Sequence, residues 1–213
     1  ALFRASAALL LCAPRNPLLF QGDGFASTRP LLFFADHEPE LARCVSQGRA
    51  DFLRQFPSRS LPEVQSTLPD PADRRTFERC KLNWSEWEQN EQTVKLHADL
   101  LRLRREDPAF SAPRRHGFDG AVLSDSAFVL RFFAEDAADK LLLVNLGRTL
   151  HLDPAPEPLL APPEKLVWQI LWSSEDVKYG GSGTPPLDTD ENWIIPGECA
   201  VVLMPVQISR GNV

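Results

Sequence analysis

Five short apolar runs follow one another in the second half of the chain, with no helical pattern between them. They are Ala121–Leu123, Phe128–Phe133, Leu141–Asn145, Leu166–Trp172 and Ala200–Met204, separated by turn formers such as Asp136–Asp139, Gly147 and Gly180–Gly183. Parallel strands need long crossovers, usually helices, whereas antiparallel strands need only short turns. The second half is therefore restricted to an antiparallel sheet, and we expect a β-sandwich over residues 118–213.

The first half of the chain alternates between helical and strand patterns. Residues 2–13 are apolar on nearly every side, which predicts a buried helix that ends at Pro14. The run Leu18–Phe20, bounded by Pro17 and Gly22, predicts a strand buried on both faces. A helix followed by a tight link and a buried parallel strand is typical of an α/β protein.

Two further helices are predicted in this half. The first, at 39–56, has an apolar stripe, and the second runs from a capping box at Ser85 and Glu88 to about residue 106. The stripe consists of Leu41, Val45, Phe52 and Phe56. Prolines, arginines and Gly117 then interrupt both patterns, so we expect an α/β region over 1–106, a linker over 107–117 and the sandwich over 118–213.

Composition limits the classes of partner. A net charge of -6 argues against duplex nucleic acid and anionic membranes, both of which require a basic face. The four cysteines, which include no CxxC pair, predict reduced core thiols, no metal site and a cytoplasmic protein. The first fourteen residues are similar to a secretory leader, but they lack an initiator Met and run into a second apolar segment. We interpret them as a helix entered partway, in a piece of a longer chain.

The sequence Gly22-Asp23-Gly24 places a carboxylate between two glycines directly after an apolar run. A phosphate-binding loop is disfavoured, because the carboxylate would repel the anion and no helix follows at once. Two interpretations stay open. In a β/α barrel, Asp23 would face the active site from the end of a strand. In an ordinary turn, it would cap local backbone amides.

A second carboxylate follows the apolar run Leu31–Ala35. Asp36 and His37 could lie at the mouth of a pocket, where charged acceptors bind sugar hydroxyls. The alternative is an N-terminal cap for the helix that begins near Pro39. Tryptophans can also stack on sugar rings, but most are core or interface anchors, and Trp168 and Trp172 are expected on one face of a strand as core residues. The five candidates are Trp84, Trp87, Trp168, Trp172 and Trp193.

The residues Leu18–Phe25, with Pro30–His37 after them, resemble the end of the last barrel strand in α-amylase-type glycoside hydrolases. The element Phe33-Phe34-Ala35-Asp36-His37 and the segment Thr76–Glu86 are similar in particular to malto-oligosyltrehalose trehalohydrolases. Segments 101–110, 172–181 and 195–203 are similar to the final barrel helix and the C-terminal sandwich of the same family. The resemblance spans almost the whole chain in the right order.

This resemblance implies the C-terminal part of a (β/α)8 barrel followed by an antiparallel β-sandwich. It also implies an enzyme that cleaves the α-1,4 bond next to the terminal trehalose of maltooligosyl-trehalose, without a cofactor or metal. The substrate-binding residues would be Asp23, Phe25, Asp36 and His37. The family's catalytic carboxylates precede the matched segments, so no catalytic residue is assigned in this chain. We expect the chain to need the upstream part of the barrel and to be inactive alone.

The chain departs from the family at two positions of the loop. Gly24 stands where the family usually has Glu, and Gln21 where it often has Met. Two other functions stay open. One is a glycogen-branching or other amylase-type activity. The other is a non-catalytic glucan-binding or stabilising module that would use an exposed tryptophan such as Trp193.

Overall fold

The structure of the protein, a computed structural model, describes residues 1–111, 117–134, 139–187 and 192–207. Its strands are β1 (Phe118–Ser124), β2 (Ala127–Phe132), β3 (Lys140–Asn145), β4 (Leu150–Leu152), β5 (Leu166–Ser173), β6 (Trp193–Ile195) and β7 (Cys199–Gln207). Five of them form one antiparallel sheet in the order β1-β2-β3-β7-β5, and β4 pairs with β6 in a second sheet. The expected antiparallel architecture is confirmed.

The helices are α1 (Leu2–Cys12), α2 (Pro39–Leu53), α3 (Pro62–Ser66), α4 (Arg74–Cys80), α5 (Ser85–Gln89), α6 (Glu91–Glu106) and α7 (Pro108–Ser111). The predicted helix that ends before Pro14 is confirmed as α1. The prediction of a single helix from Ser85 is wrong, because the helix is interrupted at Asn90, which separates α5 from α6. The hydroxyl of Ser85 donates to the side chain of Asn83 at 2.9 Å, so it does not form the predicted capping box.

Both faces of the five-stranded sheet are covered, and the middle strand β3 is buried along its whole length. Leu142 and Val144 face a cluster that includes Leu11 of α1 and Leu100 of α6. Leu141 and Leu143 face the opposite cluster, which includes Ile195 of β6. Alternate residues of a strand point to opposite faces, so a continuous apolar run fits a strand packed on both sides.

A β-bulge changes the alternation in β5. The pairing of β5 with β7 shifts between Ile170 and Trp172. An extra residue in one strand reverses which face the following side chains reach. Trp172 therefore packs in the cluster with α1 and α6, while Trp168 packs against the opposite cluster and donates from its indole to the Leu160 carbonyl at 2.7 Å. Trp172 is a core residue as expected, whereas Trp168 is half-buried against the opposite cluster, and the prediction that they share a face is wrong.

Two arginines fix α1 in place. Arg104 of α6 donates to the carbonyl oxygens of Leu11, Ala13 and Arg15 at 2.6–3.0 Å, which satisfies the end of α1 where intrahelical donors are missing. Nη2 of Arg4 donates to both carboxylate oxygens of Glu175, at 2.7 and 2.8 Å, and so forms an ion pair just after β5. Both contacts join segments that are about ninety or more positions apart in sequence.

The chain divides into two compact units. One comprises Ala1–Leu19 with Asn90–Val213, and the other comprises Phe20–Gln89. The domains predicted from the sequence follow a different division and stay a prediction. Residues 112–116 of the predicted linker lie outside the described residues, as do residues 135–138, 188–191 and 208–213 of the predicted sandwich.

The unit Phe20–Gln89 buries few side chains. In the structure, α2 has no buried residue, and its apolar stripe is open to solvent, with Leu41 52% and Phe52 55% exposed. The strand predicted at Leu18–Phe20 is wrong, because Leu18 is 77% exposed and none of the described strands pairs with this segment. A buried parallel strand needs neighbouring strands to satisfy its backbone.

The prediction of reduced thiols in the core is confirmed for three of the four cysteines. All four cysteines are free, and Cys12, Cys80 and Cys199 are buried, but Cys44 is exposed. Burial raises the pKa of Cys12 to about 12, so this thiol stays protonated and unreactive at neutral pH.

Candidate functional site

The sequence Gly22-Asp23-Gly24 forms a tight turn. Gly22 has a φ of 88° and Ala26 a φ of 49°, and a single 3-10 turn, Asp23–Phe25, lies between them. The amide of Ser27 donates to the Gly22 carbonyl at 3.0 Å, which closes the turn. Oδ2 of Asp23 accepts the Phe20 amide at 2.8 Å.

Asp23 therefore caps local backbone, as one of its two interpretations expected. Its other oxygen, Oδ1, accepts no hydrogen bond from any residue that the structure describes. The side chain is half-buried. One carboxylate oxygen holds the turn, and the other is available to a ligand hydroxyl. The substrate-binding role of Asp23 stays a prediction.

The two glycines differ in whether the structure would accept a side chain at their position. A Cβ on Gly22 would lie 2.6 Å from Cβ of Ser27, and its positive φ is one that L-residues rarely adopt. A Cβ on Gly24 would have no atom within 4 Å. Gly22 is thus required by the turn, whereas position 24 has room for a larger side chain, such as the Glu that the family usually has there.

Glu86 of α5 anchors the chain that follows the turn. Its carboxylate accepts from the Ser27 hydroxyl at 2.9 Å, the Thr28 hydroxyl at 2.5 Å and the Thr28 amide at 3.1 Å. The hydrogen bonds from Thr28 and Ser27 lower the pKa of Glu86. Glu86 is therefore ionised at neutral pH, and charge-assisted hydrogen bonds of this kind are the stronger ones. It fixes the exit of the loop that presents Asp23.

Phe25 lies inside the loop. Its side chain is only 3% exposed, and its ring centroid is 5.7 Å from the rings of both Trp84 and Trp87. The tryptophans are 66% and 47% exposed. In this structure Phe25 supports two exposed indoles, and its own predicted contact with substrate stays a prediction.

Asp36 and His37 lie on the surface, just before α2. The helix cap there is Glu38, and no side chain caps the helix, so the capping alternative for Asp36 is wrong. The segment that leads to this pair is held in place, because the Ala35 amide donates to the Pro71 carbonyl at 3.0 Å and the ring of Phe34 lies 5.1 Å from that of Phe77. Both side chains are accessible to a ligand.

The C-terminal end of α4 supports both predicted segments. The side chain of Gln21 donates to the Cys80 carbonyl at 3.3 Å, and the Leu32 amide contacts the Cys80 sulfur at 3.3 Å. Cys80 therefore joins the loop of Asp23 to the run before Asp36. The segment Thr76–Glu86, which the sequence marks by resemblance alone, is the common support of the site.

Sequence reasoning missed Glu86, and it offered Trp84 and Trp87 only as two of five tryptophans that could stack on sugars, not as residues of this site. Thr28 and Glu86 are 58 positions apart, and no local pattern links them. The sequence feature that could have identified these residues is the segment Thr76–Glu86, which resembles the family. It contains Trp84 and ends at Glu86, and Trp87 comes directly after it.

The arrangement suits binding more than bond cleavage. Retaining glycoside hydrolysis needs two carboxyl groups about 5 Å apart on opposite sides of the bond. Glu86 is already committed to Ser27 and Thr28, and one of the two carboxylate oxygens of Asp23 is committed to the turn. Among the described residues, no group of three or more His, Cys, Asp or Glu side chains could hold a metal ion.

Among the helices in the ranges that the structure describes, none is long enough and apolar enough to traverse a bilayer.

Residues 115–192 match a family described as a domain of unknown function, DUF3459. Several relatives bear the name malto-oligosyltrehalose trehalohydrolase. The protein of that name from Deinococcus radiodurans is 42% identical over 152 residues, which is 68% of this chain and 23% of that protein. The one from Brevibacterium helvolum is 34% identical over 159 residues, 73% of this chain and 26% of its own length. The chain thus spans about a quarter of these relatives.

Solved structures agree on the fold. Trehalose-6-phosphate hydrolase from Bacillus licheniformis has a TM-score of 0.57 at 12% identity, covering 97% of this chain and 39% of that one. Isomaltulose synthase from Protaminobacter rubrum has a TM-score of 0.55 at 13% identity, covering 97% of this chain and 38% of the other. The chain therefore corresponds to the C-terminal portion of malto-oligosyltrehalose trehalohydrolases and has the fold of that part of α-amylase-type enzymes.

Proposed function

We propose that this chain is the C-terminal portion of a glycoside hydrolase that cleaves the α-1,4 bond next to the terminal trehalose of maltooligosyl-trehalose and releases trehalose. The observation that carries the proposal is the 42% identity over 152 residues to a relative with that name. In this role the protein would act in trehalose biosynthesis in the cytoplasm.

The turn at Asp23 and the pair Asp36–His37 would form one wall of the sugar-binding cleft. Oδ1 of Asp23 and the exposed side chains of Asp36 and His37 are available to accept or donate hydrogen bonds to glucose hydroxyls. Glu86 and Cys80 hold the two segments, so the binding groups are fixed before a ligand arrives. The acid and the nucleophile would come from residues outside this chain.

The partner of the unit Phe20–Gln89 would be the upstream part of the same barrel. The apolar side chains on α2 and on Leu31, Phe33 and Phe34 are about half exposed, which is unfavourable unless another surface covers them. Barrel strands and helices that precede the matched segments would supply such a surface.

A transferase of the same architecture is the second function to consider, because structures named isomaltulose synthase share the fold. A glycogen-branching activity would transfer the cleaved unit to another sugar instead of water. The other alternative, a non-catalytic glucan-binding module, would bind glucan through an exposed Trp193. Trp193 is instead 6% exposed and packs in the core with Ile195.

The test uses the intact enzyme that contains this chain. It is incubated separately with maltooligosyl-trehalose and with amylose, and the products are separated by chromatography. Trehalose released from the first substrate is the expected result. New α-1,6 branches in amylose, without release of trehalose, would overturn the proposal in favour of the transferase.

A further inference from the structure

Trp84 and Trp87 form an exposed aromatic surface that the proposed function does not yet use. Their side chains are 66% and 47% exposed, and both rings rest on the buried ring of Phe25. We call these two residues the Trp84–Trp87 platform. Elsewhere the chain places indoles in its core, as it does with Trp172 and Trp193, which are 7% and 6% exposed.

Exposure of two large rings is costly unless a ligand or another surface covers them. An indole has more than 150 Å² of apolar surface, and tryptophans at solvent-exposed positions concentrate at binding sites. Neither indole N–H of the platform donates a hydrogen bond within the part of the chain that the structure describes. The platform therefore offers two apolar ring faces and two unused donors.

The backbone that carries the platform is fixed by several contacts. The Trp87 amide donates to the Trp84 carbonyl at 3.2 Å, which sets the spacing of the two residues in the first turn of α5. Glu86, between them in sequence, is tied to Ser27 and Thr28. Phe25 comes from the turn that also presents Asp23. Indoles on a fixed backbone, packed against Phe25, have few conformations to lose when a ligand binds, since each has only two side-chain torsions.

We propose that the Trp84–Trp87 platform binds the glucosyl residues of an α-1,4-glucan chain by stacking, with Asp23 accepting hydroxyl hydrogen bonds beside it. This inference rests on the proposed function, because that function supplies the glucan. Pyranose rings have apolar C–H faces and polar edges, so they match aromatic faces bordered by a carboxylate. A polypeptide surface that covers the rings is the competing explanation.

Binding is tested apart from turnover. Maltoheptaose is titrated into the intact enzyme by calorimetry, with variants Trp84→Ala and Trp87→Ala and with Phe52→Ala as the control. Phe52 is a 55% exposed aromatic residue in the same unit, on α2. We expect the Kd to rise about tenfold in each platform variant, as the loss of one stacked ring predicts, and to stay within about twofold in Phe52→Ala. Trp87→Phe keeps a ring and should retain most of the affinity.

Thermal unfolding of the same variants separates the two explanations. If maltoheptaose binds equally well to all variants while Trp84→Ala and Trp87→Ala melt at much lower temperature, a polypeptide covers the rings and the proposal is overturned. Absence of trehalose release by the wild-type enzyme would refute the proposed reaction only. The tenfold loss of maltoheptaose binding would then still support the platform.

Discussion

Gly22 and Gly24 flank the same aspartate but are constrained differently. Gly22 has a φ of 88°, and a Cβ added to it would lie 2.6 Å from Cβ of Ser27. A Cβ added to Gly24 would have no atom within 4 Å. The sequence alone presents them as an equivalent pair. The difference arises because the chain folds back from Ser27 onto Gly22, which no spacing of glycines reveals.

This difference gives a matched test. We expect Gly22→Ala to lower the free energy of unfolding by about 1–3 kcal/mol, from the left-handed backbone and the clash with Ser27. Gly24→Ala should change it by less than about 0.5 kcal/mol. Thermal or urea unfolding of the two variants measures both effects. Equal destabilisation by the two substitutions would mean that the turn does not have the geometry described.

At the scale of the element, the sequence predicts long apolar segments well and short or irregular ones poorly. The strands β1, β2, β3, β5 and β7 all coincide with predicted runs, because apolar residues on both faces leave a strong pattern. β4 and β6 have only three residues each, too few for a period to be visible. The bulge in β5 escapes prediction because Ile170, Leu171 and Trp172 are all apolar, so the sequence is compatible with either register at the shift.

A polar contact network links α6 to the 3-10 turn Val177–Tyr179 that follows β5. The Tyr179 hydroxyl donates to Asp99 at 2.6 Å and accepts from the Trp172 indole at 3.0 Å. Lys178 pairs with the same aspartate at 3.1 Å. Burial, together with the hydrogen bond to Asp99, raises the pKa of Tyr179 to about 12.

We expect Tyr179→Phe to lower the free energy of unfolding by about 1–3 kcal/mol, because Asp99 and Trp172 each lose a hydrogen bond. A raised pKa in the folded state means that the hydroxyl contributes its full stability below pH 10 and loses it as the pH rises towards 12. The difference between wild type and variant should therefore shrink over that range.

Urea unfolding at several pH values measures this difference. Val177→Ala, in the same turn and 70% exposed, is the control and should have little effect at any pH. A penalty for Tyr179→Phe that stays constant up to pH 12 would contradict the role of the hydroxyl.

At the scale of the whole molecule, the predicted division and the observed units differ in where α1 and α6 belong. The sequence groups these helices with the first half, because both precede the change of period. In the structure they cover one face of the sheet and share its core through Leu11, Leu100 and Leu142. Contacts between segments so distant in sequence leave no local pattern, so this grouping could not be predicted.

We therefore expect residues 1–106 expressed alone to aggregate. Without the strands, α1 and α6 lose the surface that buries Leu11, Leu96 and Leu100, and the apolar side chains of α2 are already exposed. Size-exclusion chromatography and a melting curve test the prediction, with the full 213-residue chain as the comparison. A soluble monomer with a sharp transition would contradict it.

The clamp of Arg104 on the end of α1 has a consequence for how this protein can diversify. Leu11, Ala13 and Arg15 precede the unit Phe20–Gln89 in sequence, and Arg104 lies in α6, the helix that follows that unit. The hydrogen bonds therefore join the framework segments on either side of the unit. The entropic cost of closing a loop grows only slowly with its length. We therefore expect insertions and deletions within Phe20–Gln89 to leave the framework of α1, α6 and the sheet in place, so that this unit can diverge in sequence and length separately from it.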